Sequence, residues 1–156
     1  MAVLTGLEPK AVFQYFEALC AIPHGSGNTK QISDYCVRFA REHNLRCIQD
    51  ESNNVIIFKD GTEGYEQSDP VILQGHLDMV CEKTADCPID FEKDGLMLRL
   101  DGDSIFAEGT TLGGDDGIAV AYGLALLASE DIPHPPLEVV FTTDEEIGRL
   151  GAAALA

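Results

Sequence analysis

Apolar residues in the first part of the chain repeat at two spacings, one helical and one extended. Segments 12–20 and 29–43 carry apolar side chains three and four positions apart, which predicts two amphipathic helices. The segments "LRCIQD" (45–50) and "NNVIIFKD" (53–60) are short apolar runs separated by turn-forming residues, which predicts a pair of strands. The chain is therefore expected to open with two helices and two strands.

The remaining apolar segments predict more of the same mixture. The segment "VILQGHLDMV" (71–80) starts with the branched residues of a buried strand, and "PPLEVVFTT" (135–143) predicts another. The segment "LMLRLDGDSIFAEG" (96–109) predicts a hairpin that turns at Asp101-Gly102. Residues 118–129 are apolar or small almost all round, as in a helix that is buried on most sides. Short apolar strands among helices indicate an α/β layer architecture.

The chain is strongly acidic. Twenty-seven Asp plus Glu against ten Lys plus Arg give the 156 residues a formal net charge of −17. Such a surface repels phosphate backbones and anionic membranes, which argues against nucleic-acid and membrane partners. No apolar run approaches the roughly 20 residues that span a bilayer. The five cysteines form no CxxC pair and their number is odd, which favours reduced thiols and a cytoplasmic location.

A histidine and an aspartate, His76 and Asp78, end the strand predicted within 71–80. Residues two apart in an extended chain point to the same side. Asp78 can therefore hold one ring nitrogen of His76 while the other nitrogen binds a metal. The alternative is a hydrogen-bonded polar pair without a metal, and this short spacing alone does not decide between the two.

Two further segments place carboxylates beside apolar elements. In "GTTLGGDDG" (109–117), glycines free the backbone before Asp115 and Asp116, so that a carboxylate there can approach a metal closely. A helix N-cap is the alternative, and we expect one aspartate to cap and the other to ligate. In "FTTDEEIG" (141–148), three acids repel one another unless they are solvated or neutralised by a cation. A solvated helix start is the alternative there.

Two of the three polar segments directly follow predicted strands, and the third directly precedes a predicted helix. All three are therefore expected at the same end of the sheet. In α/β sheets, the crevice beyond the carboxyl ends of the strands is where ligands bind. One imidazole with several carboxylates suits Zn²⁺, Mn²⁺ or Co²⁺. A free Glu beside a metal-bound water is the working pair of metal-assisted hydrolysis. The pattern thus points to a metal-dependent hydrolase.

The motifs "GHLDMV", "GTTLGGDDG" and "TTDEEIGRLGA" resemble those of the co-catalytic zinc peptidases that include carnosinases and aminoacylases. Within that family, "GTTLGGDDG" and the opening "FEALCAIPHGSGN" are most similar to the aminoacyl-histidine (Xaa-His) dipeptidases. The resemblance implies a three-layer α/β fold, with a sheet flanked by helices. It also implies hydrolysis of dipeptides with a C-terminal histidine by a zinc-bound hydroxide. A related tripeptidase or aminoacylase activity remains the alternative.

The resemblance also implies roles for individual residues. His76 would ligate one zinc, Asp115 would bridge two zincs, and Glu146 would ligate the other. Asp78 would orient and polarise His76. Glu145 would be the general base that takes a proton from the bridging water and passes it to the leaving amine.

Other polar residues receive no role from the resemblance. Asp116 stands where the family often has Asn, so its role stays open. His24, His43 and His134 match no motif, and His43 and His134 are expected at the surface. The expected cofactor is Zn²⁺, two per complete site, with Mn²⁺ or Co²⁺ as substitutes.

Members of the family are much longer than this chain. The resemblance therefore implies that residues 1–156 are the N-terminal part of the catalytic domain, without the lid and dimerisation domain and without the C-terminal catalytic segment. Since further ligands come from those segments, we expect the chain alone to hydrolyse little, and part of its sheet to be left uncovered. A small peptide is the expected partner, and a homo-oligomer remains open. A non-catalytic fragment that binds metal or a partner is the remaining alternative.

Overall fold

The computed structural model describes residues 2–155. Within that range, the chain forms the mixture of helices and short strands that the apolar pattern predicts. The elements are α1 (Lys10–Cys20), α2 (Lys30–Glu42), β1 (Arg46–Gln49), β2 (Val55–Lys59), β3 (Val71–His76), β4 (Leu98–Asp101), β5 (Ser104–Ala107), α3 (Gly114–Ala128), β6 (Leu137–Thr142) and α4 (Leu150–Ala154). The α/β class predicted from the sequence is confirmed. No helix among these residues is long and apolar enough to cross a membrane.

The first two helices form because their apolar side chains share one face. In α1, the buried residues are Val12, Phe16, Leu19 and Cys20. These positions recur at intervals of three and four, so that they form a stripe along one side of the helix. The apolar face of α2 is built in the same way, and both helices contribute to a single core. Both helices were predicted from this spacing.

The main sheet has the strand order β1-β2-β6-β3. Strands β1, β2 and β6 pair antiparallel, whereas β3 lies parallel to β6. The parallel register places His76 opposite Thr142, so that β3 and β6 end side by side. The polar residues that follow each of these two strands are thereby brought to the same edge of the sheet.

One face of this sheet carries the core. Alternate residues of β2 and β6, including Ile57 and Val139, are completely buried and pack with residues from α1, α2 and α3. The residues of the opposite face lie outside this core cluster: Ile48 is 50% exposed and Ile72 is 63% exposed. Helices on one face and uncovered apolar side chains on the other agree with the incomplete layered fold that was predicted.

Three local expectations were wrong. Strand β3 is an edge strand and its first half is exposed, because only β6 pairs with it, so it is not a fully buried core strand. The β4–β5 hairpin pairs Asp101 with Ser104, which makes Gly102-Asp103 the two-residue turn, with Gly102 in the left-handed region. His134 is buried rather than at the surface, because its own backbone is bound to Thr62. The N–H of His134 donates to Oγ1 of Thr62, and the carbonyl of His134 accepts the backbone N–H of Thr62. His43 is exposed, as expected.

Candidate metal centre

Three side chains that can ligate a metal converge at the edge where β3 and β6 end. They are His76 at the end of β3, Asp115 at the start of α3 and Glu146 in the turn after β6. Each offers one ligand atom, and these atoms all lie within 4.8 Å of one another. His76 is buried, whereas Asp115 and Glu146 are exposed, so the group opens to solvent on its acidic side. The sequence predicted these three ligands, and the fold brings all three together.

The ring of His76 is held in one orientation by Asp78. Its Nδ1 lies 2.9 Å from the backbone carbonyl oxygen of Asp78 and 3.3 Å from the carboxylate of the same residue. With Nδ1–H donating to Asp78, the other nitrogen, Nε2, faces Oδ1 of Asp115 at 3.0 Å. Burial by itself lowers the pKa of His76, but the hydrogen bond to Asp115 and the charge of Asp78 outweigh it and leave the pKa raised. The nitrogen available to a cation is therefore Nε2.

The carboxylate of Asp78 is buried and receives hydrogen bonds from several directions. Asp78 is 1% exposed. Its Oδ1 accepts the backbone N–H of Glu145 at 2.9 Å, and its Oδ2 accepts the backbone N–H of Glu146 at 3.3 Å. The hydroxyl of Ser26 also donates to Oδ2, at 2.7 Å. These hydrogen bonds satisfy both oxygens of the buried carboxylate and link the exits of the two strands.

The two aspartates at the start of α3 have different surroundings. The side chain of Asp115 is 87% exposed and points to His76. Oδ2 of Asp116 accepts the backbone N–H of His76 at 3.3 Å, so it fastens the helix to β3. Burial raises the pKa of Asp116, while the backbone N–H groups of His76 and Ala119 act in the opposite direction. The division into one ligating and one capping aspartate stays a prediction: Asp115 turns to His76, Asp116 turns to the backbone of β3, and no side chain makes a cap hydrogen bond at the start of α3.

A glycine makes room for this arrangement. A Cβ on Gly75 would lie 3.1 Å from Oδ2 of Asp116 and 3.2 Å from the Cβ of Ala119, distances at which these neighbours would have to shift. The absence of a side chain in the last part of β3 lets α3 approach the strand closely. This close approach carries Asp115 to His76.

The three acids after β6 also diverge. Asp144 lies in the left-handed region, with φ of 53°, and its carboxylate accepts the backbone N–H of Gly27 at 2.7 Å. The carboxylate of Glu146 lies within 4.8 Å of the candidate ligand atoms of His76 and Asp115. The carboxylate of Glu145 is half-buried and makes no hydrogen bond to another residue within 2–155, while its backbone N–H is bound by Asp78. The turn thus separates three adjacent acids into three different environments.

Ser26, Asn54 and Asp144 were not identified from the sequence as residues that shape the site. Asn54 is 1% exposed and its Oδ1 accepts the backbone N–H of Thr143, directly before the acidic turn. Ser26 stands between two glycines in a polar loop, which is a signal for close backbone approach but not for a particular partner. Their hydrogen-bond partners are distant in sequence, so no local sequence pattern predicts these contacts.

The donor set fits a divalent cation. Proteins bind catalytic Zn²⁺ through three side chains, and one imidazole with two carboxylates is such a set. The same donors also suit Mn²⁺ or Co²⁺. Asp115 and Glu146 are like charges in one small group, and a cation would relieve their repulsion. Two depressions, of about 340 and about 290 Å³, are both lined by Val80 and Glu146, and Asp115 lines the smaller of the two.

Comparison with known proteins supports a relationship to peptidases. The chain is 43% identical over 155 residues to the cytosol non-specific dipeptidase of Escherichia coli (strain K12), covering 99% of this chain and 32% of that protein. The crystal structure of aminoacylhistidine dipeptidase from Vibrio alginolyticus matches with a TM-score of 0.93 and 41% identity, over 96% of this chain and 31% of that one. Peptidase T of an Exiguobacterium species is 39% identical over 94 residues, which are 56% of this chain and 20% of that protein. No protein-family model matches the sequence.

The first two of these proteins agree with each other in what they cover. Each aligns with nearly all of this chain, and the chain spans about a third of the length of each. The agreement of sequence and fold over the same residues matches the resemblance carried by the three motifs. Over nearly all of its length, this chain is therefore similar in sequence to a dipeptidase and in fold to an aminoacylhistidine dipeptidase.

Proposed function

We propose that this chain contributes a metal-binding half-site to the hydrolysis of small peptides. The observation that carries the proposal is the convergence of His76, Asp115 and Glu146 within 4.8 Å, in a chain whose relatives are named dipeptidases. In this proposal, all three residues would hold two divalent cations, and Asp115 would contribute to the binding of both. Asp78 is the residue that fixes the tautomer and the direction of the His76 ring.

A bound divalent cation supplies a Lewis acid, which polarises a carbonyl and lowers the pKa of water. The chain itself supplies the proton acceptor, for which we propose Glu145. Its carboxylate is free of hydrogen bonds to residues in the described range, and its backbone is anchored on Asp78 beside the ligand group. Glu145 would accept a proton from the attacking water and return it to the leaving amine.

The surface around the ligand group suits a small substrate. Two depressions, about 340 and about 290 Å³, lie at the small end of ligand-site volumes and share Val80 and Glu146 in their lining. Together these adjoining depressions would accept the two residues of a dipeptide. We propose a dipeptide with C-terminal histidine, in keeping with the name of the Vibrio relative. A cytoplasmic location follows in the same way from the name of the Escherichia coli relative.

We further propose that the site needs residues from outside this chain. Residues 2–155 contain one group of metal ligands, and two cations require more than three protein side chains. The chain spans about a third of its relatives, so the rest of such a protein has ample length to supply them. In this proposal the chain is the N-terminal part of the catalytic domain, and by itself it binds at most one cation and hydrolyses little.

Elemental analysis tests the ligand assignment directly. The 156-residue chain is saturated with Zn²⁺, desalted and analysed beside His76→Ala and Glu146→Gln, with the exposed Asp103→Asn as a matched acidic control. We expect about one zinc in the wild type and in Asp103→Asn, and a loss in the other two. Equal zinc in all four proteins would refute the assignment. Two zincs in the wild type would refute the incomplete site.

Substrate assays separate the alternative functions. A panel of Xaa-His dipeptides, tripeptides and N-acyl amino acids distinguishes a dipeptidase from a tripeptidase or an aminoacylase. Turnover by the 156-residue chain alone that is lost in Glu145→Ala would refute the proposed inactivity. Bound zinc without turnover, even when the rest of a longer relative is added in trans, would favour a metal-binding fragment. Size-exclusion chromatography of the same sample measures whether the chain forms a homo-oligomer.

A further inference from the structure

The loop of residues 24–28, which we call the brace loop, contacts the exits of both β3 and β6. On the β3 side, the backbone N–H of Met79 donates to the carbonyl of His24 at 3.1 Å, and the N–H of Ser26 donates to the carbonyl of Met79 at 3.2 Å. On the β6 side, the N–H of Gly27 donates to the carboxylate of Asp144 at 2.7 Å. The brace loop therefore bridges the two segments that carry the proposed ligands.

We propose that the brace loop sets the spacing between His76 and Glu146 through two positioning residues, Ser26 in the loop and Asp144 beyond β6, to which the loop is bound. The inference rests on the metal site proposed above and adds residues that are not ligands of the cation. Ser26 acts through Asp78 on the orientation of His76. Asp144 acts through the backbone on the position of Glu146.

The role of Ser26 follows from its bond to Asp78. Its hydroxyl provides the shorter of the two hydrogen bonds to Oδ2 of Asp78, at 2.7 Å against 3.3 Å from the N–H of Glu146. Without that hydroxyl, Oδ2 of a buried carboxylate would keep one long bond. The carboxylate would then turn towards other donors, and Nδ1 of His76 would keep the backbone carbonyl of Asp78 but lose the carboxylate that lies 3.3 Å away.

The role of Asp144 follows from its backbone and its side chain together. It is one of three adjacent acids, yet its carboxylate turns to the brace loop while Glu146 turns to the ligand group. Its φ of 53° is in the left-handed region, where Asn, Asp and Gly are the residues most readily accommodated. The bond to Gly27 therefore holds the residue in left-handed conformation that directly precedes Glu145 and Glu146.

The brace loop packs closely against the chain that follows β3. Gly25 forms a parallel bridge with Met79 and is buried. A Cβ at this position would lie 2.6 Å from Sγ of Cys81, so only a glycine lets the loop come this close to the chain beyond β3. Such close contact suits a segment that fixes a distance.

Cobalt binding tests the role of Ser26 with a readout other than activity. Co²⁺ affinity and the visible spectrum of the bound ion are measured for the wild type, Ser26→Ala, Ser26→Thr and Ser104→Ala, the last an exposed serine in β5. Loss of such a partner typically weakens metal affinity 10–100-fold, so we expect a decrease of about that size and an altered spectrum in Ser26→Ala. Ser26→Thr keeps the hydroxyl and should recover most of the affinity, and Ser104→Ala should match the wild type. Wild-type affinity and spectrum in Ser26→Ala would overturn the inference.

A pair of variants at Asp144 separates the side chain from the backbone conformation. Asp144→Asn keeps both an oxygen acceptor for Gly27 and tolerance of positive φ, whereas Asp144→Gly keeps only the tolerance. We expect Asp144→Gly to bind Co²⁺ about tenfold more weakly and Asp144→Asn to stay within about threefold of the wild type. Equal affinity of both variants and the wild type would show that the bond to Gly27 does not position Glu146.

Amide hydrogen exchange tests the brace loop without any metal. In Ser26→Ala and Asp144→Gly, the N–H groups of Glu145 and Gly27 should exchange faster than in the wild type, and Ser104→Ala should leave them unchanged. Unchanged exchange in the first two variants would overturn the inference even if the wild type binds Co²⁺. Absence of Co²⁺ binding by the wild type would instead refute the proposed metal site, and exchange would still decide the role of the loop.

Discussion

Replacing Asn54 by alanine should destabilise the chain strongly, because its side chain makes two buried hydrogen bonds to backbone groups and a partly buried one to Asp50. Its Nδ2 donates to the carbonyl of Gly151 at 2.9 Å and to the carboxylate of Asp50 at 2.7 Å. Its Oδ1 accepts the backbone N–H of Thr143 at 3.1 Å. Asn54 and Thr143 are each 1% exposed, and Gly151 is buried. Alanine would leave backbone groups of Thr143 and Gly151 without these partners.

The size of the effect follows from those two groups. A buried donor or acceptor that loses its partner costs about 1–3 kcal/mol, so the two together predict a loss of about 2–6 kcal/mol in the free energy of unfolding. For a domain of this size, a loss of about 3 kcal/mol lowers Tm by about 6–12 °C. Since a whole domain is stable by only about 5–15 kcal/mol, the variant should be visibly weakened.

Urea unfolding at neutral pH, followed by circular dichroism, measures this change. Gln67→Ala is the matched control, because Gln67 is exposed and its removal should change the free energy by less than about 0.5 kcal/mol. Asn54→Asp tests whether the polarity or the volume matters, since it retains both the size and the acceptor for Thr143. Its second oxygen would face the Gly151 carbonyl and the Asp50 carboxylate, so we expect at least as large a loss as in Asn54→Ala. A loss below about 1 kcal/mol in both variants would refute the reasoning.

Three further predictions concern pH dependence, a helix end and the core. Burial lowers the pKa of His24, so the unfolded chain binds a proton there more readily than the folded chain; the stability from His24 is complete above its ordinary pKa of 6.5 and is lost as the pH falls through that value. When the pH is lowered from about 7.5 to about 5.5, the free energy of urea unfolding should therefore fall more in the wild type than in His24→Gln. The exposed control His43→Gln should behave like the wild type. An equal fall in all three proteins would contradict this prediction. Lys59 donates from Nζ to the carbonyls of Leu126, in the last turn of α3, and of Ser129, the residue after the helix. Lys59→Met should therefore cost about 1–2 kcal/mol and speed amide exchange in the last turn of that helix, whereas unchanged exchange would argue against a capping role. Phe141 is 1% exposed, and Phe141→Ala should lower the free energy of urea unfolding by about 3–5 kcal/mol, far more than Phe106→Ala at a side chain that is 44% exposed; similar losses would contradict the proposed core.

The elements of the fold could largely be read from the sequence, because each is encoded by neighbouring residues. Helical spacing gave α1 and α2 to within two residues of their ends, and apolar runs gave β2 and β6. What failed was the burial of β3, since exposure depends on how many strands pair with it. The hairpin turn was misplaced by one residue because the position of a two-residue turn depends on the pairing register of β4 and β5.

The sequence also contained the chemistry of the candidate site but not the assignment of its acids. The polar ends of two strands and the glycine-rich start of a helix indicated His76, Asp78 and the aspartates at 115 and 116 as candidates. The residue types and the adjacent positions did not show that Asp116 would turn to the backbone of β3, or that Asp144 would turn away from Glu146. Those differences come from the left-handed turn at Asp144 and from the close approach of α3 to Gly75.

By itself, therefore, the sequence determined which elements form, which residues can bind a cation and which family the motifs resemble, because these properties depend on residue type and short spacing. The tertiary structure alone decided how the residues meet. Asp78 is 52 residues from Ser26 and 67 from Glu145, and Gly27 is 117 residues from Asp144, yet each pair is hydrogen-bonded. Such contacts arise from the parallel register of β3 with β6 and from the loop packed across both exits. No local pattern specifies them, since the partners of a buried carboxylate are set by the packing of the whole sheet edge.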